Sequence, residues 1–216
     1  MQSFKALFIH EWRLLIREPR FMVLLCLPSF LLLVVRFINA DTFSVLPLEF
    51  AKFLLLLLGA MNSTMTLPFS ADAFAGERER NTLELLQLSP VSPRKIYFVK
   101  LLTILPFSIL GAVFSQIILF LICSNIPLDV FAKAILGATS FALLFNGLTL
   151  LLSLRSKTVR AATQTAAIIS FPFYFLIQAW YPEFFSISIF PFAFFLISVA
   201  SLLLCVHFSL KKFLLL

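Results

Sequence analysis

The feature that most limits this chain is the length of its apolar runs. Six of them, at about 21–38, 48–70, 96–123, 130–154, 161–181 and 189–208, follow one another with short polar interruptions. A helix rises about 1.5 Å per residue, so crossing a hydrocarbon core about 30 Å thick takes roughly 17–25 apolar residues. Each run falls within or just above that range. Inside a bilayer no water is available to the backbone, and a helix satisfies its own N–H and C=O groups. The runs therefore predict an all-α membrane protein with six transmembrane helices. Composition agrees, with 61% hydrophobic and 12% charged residues, where a soluble domain has about 45–50% and 25%.

Residues 1–20 precede the first span and read differently. Phe4, Leu7, Phe8, Trp12 and Leu15 recur at the spacing of one helical face, while His10, Arg13 and Arg17 share another. Such a helix lies in the membrane interface, with Trp12 at headgroup level. Pro19 ends it, because proline lacks an N–H and disfavours helical geometry at Glu18. The remainder, residues 21–216, is one six-span domain. Pro106, Pro172 and Pro191 are expected to kink spans three, five and six. Residues 182–188 are expected to link spans five and six, as a surface turn or as a re-entrant element.

Charge fixes the orientation. Fourteen of the 17 Lys and Arg fall before span one, in 71–100, in 155–160 or in the tail, leaving Arg36, Lys52 and Lys133 on the other side. Positively charged residues mark cytoplasmic loops, so both termini and the 71–95 segment are expected inside. That result needs an even number of spans. The formal charge of +7 is thus read as topology, and no nucleic-acid partner is implied. Lipid is.

The 71–95 segment carries the most information. Asp72 through Arg80 can extend the second helix out of the bilayer, and Asn81 can end it, since Asn tolerates the left-handed conformation. Thr82 suits the N-cap of a new helix, with Glu84 in its first turn. That helix runs to about Leu88 with Leu83 and Leu86 on its apolar face. Ser89-Pro90 ends it, and Ser92-Pro93 opens the next helix with Ser as cap and Pro in first position. A short amphipathic helix bracketed by two turns suits a groove on a soluble partner.

These residues resemble the signature of ABC-2-type transporter permeases, the membrane subunits of one class of ATP-binding-cassette exporter. Glu77-Arg78-Glu79, Thr82-Leu83-Glu84, Leu85-Leu86 and Ser89-Pro90-Val91-Ser92 match the family pattern; Asn81 stands for its usual Gly and Ser89 for its usual Thr. Residues 1–20 resemble the family's elbow helix. The resemblance implies a permease in a prokaryotic plasma membrane that forms the translocation path with a second copy or a related permease. It also implies a separate ATPase subunit that holds ATP and Mg. Glu77, Glu79, Thr82, Leu83, Glu84, Leu86, Ser89 and Pro90 are then the residues expected to couple to that ATPase. A secondary transporter or accessory protein that uses the 71–95 loop only as a partner dock is the alternative.

The sequence itself bears on the separate ATPase. A P-loop needs Gly-x4-Gly-Lys-[Ser/Thr] to cradle phosphates, and none of the five Gly begins or completes one. No cofactor is expected on this chain. His10 and His207 share no ligand spacing with Cys26, Cys123 or Cys205, so no metal site is expected either. No catalytic constellation is found, and the deep spans carry no Asp, Glu, Lys or His for a proton-driven carrier. Among the intramembrane polar residues, Asn62, Thr66, Gln116, Asn146 and Gln164 are candidates for the translocation path. Helix–helix hydrogen bonding is the competing role, and in either case they are expected to face inward.

Overall fold

The computed structural model describes residues 2–38, 46–83, 91–123 and 125–213. Among these no strand occurs. Helix α1 (Gln2–Arg17) and α2 (Pro19–Ile38) are separated by Glu18 alone, because Pro19 takes the first position of α2. Helix α3 (Leu48–Met65) breaks at Thr66, resumes as α4 (Leu67–Ala71), widens into a π-helical turn (Asp72–Gly76) and closes as α5 (Glu77–Glu79). Pro68 explains the break, since its missing N–H interrupts the helical ladder. Then follow α6 (Pro93–Ile122), α7 (Leu128–Arg155), α8 (Val159–Ser186) and α9 (Ile189–Phe213).

Among the described residues, five stretches are long and apolar enough to cross a membrane: Pro19–Ile38, Leu48–Glu79, Arg94–Ile122, Leu128–Arg155 and Ile189–Lys211. Helix α8 has the length, at 28 residues, but Gln164, Tyr174 and Gln178 dilute its apolar character. It also runs further than expected. The link at 182–188 shrinks to Ile187 and Ser188, because α8 continues through Pro182 to Ser186. Pro106 likewise sits inside an unbroken α6.

Helix α7 is the centre of the bundle, packed by α3, α6, α8 and α9. Its small residues allow this. A Cβ on Gly59 of α3 would stand 2.9 Å from both the Cα and the Cβ of Ala138 of α7, so these two helices meet with only the alanine methyl at the contact. Close backbone approach through small residues is how membrane helices gain contact without a hydrophobic driving force. Helix α1 docks on α6 through Trp12, whose ring lies 4.4 Å from that of Phe107. Phe21 at the start of α2 meets Phe107 and Phe69 edge-on.

Candidate functional site

Two polar systems are built into this apolar bundle. The first lies within it and is uncharged. The Asn146 side chain on α7 accepts from Ser70 at 2.6 Å and from Thr66 at 3.1 Å, and donates to Ser108 on α6 at 3.1 Å. Asn62 on α3 donates to Ser115 on α6, which bonds Ser29 on α2 at 2.7 Å. Gln116 donates to the carbonyls of Leu55 and Ala134, tying α6 to α3 and α7. All of these side chains are buried. The candidates Asn62, Thr66, Gln116 and Asn146 therefore face inward as expected, but onto neighbouring helices of the same chain. Gln164 departs from that expectation. It lies exposed on α8, with Thr165 and Gln178, because the face of α8 that carries it packs on nothing in the single chain.

The second system is charged and sits where α3–α5 end. The left-handed turn anticipated at Asn81 is present, with φ 56°. Around it the Asn81 N–H donates to the Arg78 carbonyl at 3.1 Å, and the Thr82 N–H to the Glu77 carbonyl at 2.8 Å. This double closure is the Schellman pattern, which satisfies the last carbonyls of a helix. It turns the chain sharply and leaves the four charges of Glu77–Arg80 splayed around a very short helix.

Each of the four reaches a different element. Glu77 accepts from the Thr82 hydroxyl and pairs at 3.4 Å with Lys100 of α6, whose ammonium also reaches Glu11 of α1 at 3.1 Å. Arg78 donates to the carbonyls of Leu154 (3.0 Å) and Ser156, capping the end of α7. The Glu79 carboxylate accepts from the Val159 N–H at 2.8 Å, at the start of α8, where the helix dipole favours negative charge. Arg80 folds back on Asp72 with contacts of 2.8 and 2.9 Å. The Asp72 carboxylate keeps the Arg80 guanidinium firmly protonated, against a smaller opposing effect of burial. Three consecutive residues thus reach the middle of α1 (through Lys100), the end of α7 and the start of α8.

Gly76 makes the Asp72–Arg80 pair geometrically feasible. A Cβ there would fall 2.0 Å from Asp72 Oδ1, so the carboxylate crosses the helix through a notch that only glycine leaves open. Beside the pair, a cavity of about 290 Å³ opens between α1, α6 and the turn, with Glu11, Glu18, Asp72, Glu77, Arg80 and Lys100 on its walls.

Of the expected coupling residues, Glu77, Glu79, Thr82 and Leu83 are thus brought into one place. Leu83 is buried in the same apolar cluster as Phe74 and Tyr97. The Thr82 hydroxyl turns back to Glu77. Glu84, Leu86, Ser89 and Pro90, with most of the expected short helix, lie outside the described residues. Ser92 does hold the N-cap position of α6 with Pro93 following, although its hydroxyl makes no capping bond. Sequence reasoning missed Lys100, Ser153 and Gly76. Lys100 was read only as a topology charge, and its burial (4% exposed side chain) was the signal that spacing could not give.

A helical chain with several membrane-length apolar segments and such a charged end defines a multi-pass membrane protein. Residues 2–183 match the model of the ABC-2 type transporter family, to which the chain belongs. Among curated proteins, the ABC transporter permease protein NatB of Bacillus subtilis is 28% identical to it over 120 residues. That match covers 49% of this chain and 31% of the relative, so the chain spans about a third of the curated relative's length. Membership places the chain among membrane transport components.

Proposed function

We propose that this chain is the membrane subunit of an ABC exporter, moved by ATP hydrolysis in a separate nucleotide-binding subunit that holds ATP and Mg. The observation that carries this reading is the Glu77–Arg80 clamp. A single short segment touches the end of α7 and the start of α8 directly and the middle of α1 through Lys100, so displacing it displaces all three. Such a segment is suited to receive force from a partner docked on 82–90 and to distribute it among the helices.

The same contacts support six crossings. Helix α8 is tied to one end of α7 through Glu79 and Arg78, and at its far end Lys133 of α7 donates to the Phe185 carbonyl at 2.7 Å. From residue 133 to 155 α7 climbs about 33 Å at 1.5 Å per residue, about the thickness of a hydrocarbon core. Helix α8 runs alongside and covers the same depth. With six crossings, the lysine and arginine distribution puts both termini and the clamp on the cytoplasmic side of the plasma membrane.

A second permease copy, identical or related, covers the bare face of α8. Gln164, Thr165 and Gln178 are expensive in contact with lipid, and Ile168, Phe171 and Phe175 beside them are 72%, 60% and 61% exposed. Facing another copy, the amides line a path between the two subunits while the large apolar groups seal it. Gln164 is the path residue this favours over the internally bonded Asn62, Thr66, Gln116 and Asn146.

The test is purification of the tagged full-length chain from its native membranes. An ATPase bearing a P-loop should accompany it, and replacing residues 83–90 by a Gly/Ser segment of equal length should release that ATPase. Vesicle transport in the absence of ATP, or retention of the ATPase after the replacement, would overturn the reading.

A further inference from the structure

The π-helical turn Asp72–Gly76 amounts to one residue inserted into an α-helix, and such turns are rare and concentrated at functional positions. Widening the ladder leaves backbone groups without their α-helical partners. Here one side chain collects them. The Ser153 hydroxyl of α7 donates to the Ala71 carbonyl and accepts from the N–H groups of Phe74 (3.1 Å) and Ala75 (2.9 Å). Ser153 is fully buried, and Ala71, Phe74 and Ala75 are too, so no water substitutes for it.

We infer that Ser153 is a positioning residue that sets the rotational register of the Glu77–Thr82 end by holding this turn open. Without the inserted residue everything beyond Gly76 rotates by about 100° and shifts by about 1.5 Å, the increments of one residue in an α-helix. A rotation of that size takes Glu77 off Lys100, Arg78 off the end of α7 and Glu79 off the start of α8. It also carries Leu83 out of the buried cluster it shares with Phe74 and Tyr97. The turn therefore offers two discrete settings, π with the clamp engaged and α with it released. Its consequence for coupling rests on the exporter reading above; the register itself does not.

The experiment uses the full-length chain in lipid nanodiscs, with Cys26, Cys123 and Cys205 replaced by alanine and Leu83→Cys as the reporter. Reaction with a water-soluble maleimide reads the register and needs no ATPase. With Ser153 present the thiol is protected. Ser153→Ala should raise its modification rate at least about tenfold, the equivalent of losing one to two net hydrogen bonds. Ser153→Thr, which keeps the hydroxyl, should restore protection. Deleting Ala73 from the Ser153→Ala chain should restore it as well, because removing one residue returns the end to its angle without a π turn. A merely structural serine predicts the opposite, since the deletion would add damage to damage. Protection unchanged by Ser153→Ala, or a deletion that fails to rescue, overturns the inference. Should Ser153→Ala fail to insert, recovery of insertion by the deletion supports it and continued failure overturns it. ATP hydrolysis by the co-purified complex, measured on the same variants, then reports separately on the exporter reading.

Discussion

The uncharged network around Asn146 and the charged clamp around Glu77–Arg80 solve one problem, joining helices through polar groups, in opposite ways. Around Asn146, Asn62 and Gln116 the links use neutral amides and hydroxyls at 2.6–3.2 Å, and the side chains are buried. At the end of α5 the links use full charges, and the carboxylates keep a path to water: Glu11 and Glu77 keep 21% and 22% of their side chains in solvent, although Lys100 between them is buried. Breaking an interior bond leaves a polar group with nowhere to go. Breaking a clamp bond lets water take over much of the interaction. The interior is therefore built to stay fixed, and the clamp to be exchanged.

The largest effect that would test this contrast is at the backbone contact supporting the interior. Gly59→Val places a side chain against the Ala138 backbone and should destabilise the bundle by about 3 kcal/mol, read as loss of the monodisperse folded species on denaturant titration. Next is Asn146→Leu, which removes three interhelical bonds worth about 0.6 kcal/mol each in membrane proteins, about 2 kcal/mol together. By contrast Lys100→Met at the clamp should cost only about 1 kcal/mol, because both carboxylates can still hydrate, yet it should lower membrane-stimulated ATP hydrolysis severalfold. Lys100→Arg should recover part of that rate. Smallest is Glu49→Gln, at the exposed pair with Lys52 on α3. It should change stability by no more than about 0.5 kcal/mol and leave ATP hydrolysis alone. A stability loss at Lys100 as large as at Asn146 would erase the distinction between fixed and exchangeable systems.

What could be read from the sequence followed from local physics. Run lengths gave the helices, Pro19 separated α1 from α2, and Asn81 marked its own left-handed turn because its side chain tolerates that conformation. The rest depends on partners distant in the chain. Ser153 stabilises the turn at 72–76 from 78 and 79 residues away, and no spacing within 71–95 predicts a π turn there. Pro182 looked like a helix end, but α8 continues past it to Ser186. Glu77 and Glu79 read as residues that couple to a partner ATPase; their contacts with Lys100 of α6 and the start of α8 could not be read from spacing. Gln164 read as inward for lack of any alternative to lipid, and its exposure becomes meaningful only once a second copy is considered.

The central claim is that the clamp transmits force to the helices and does not itself dock the ATPase. The direct measurement is the double variant Arg78→Ala with Glu79→Gln in the co-purified complex, assayed for bound ATPase and for ATP hydrolysis relative to the free ATPase subunit. The account predicts that the ATPase stays bound while hydrolysis falls to the free-subunit rate. Full stimulation in the variant, or loss of the ATPase from it, would contradict the account.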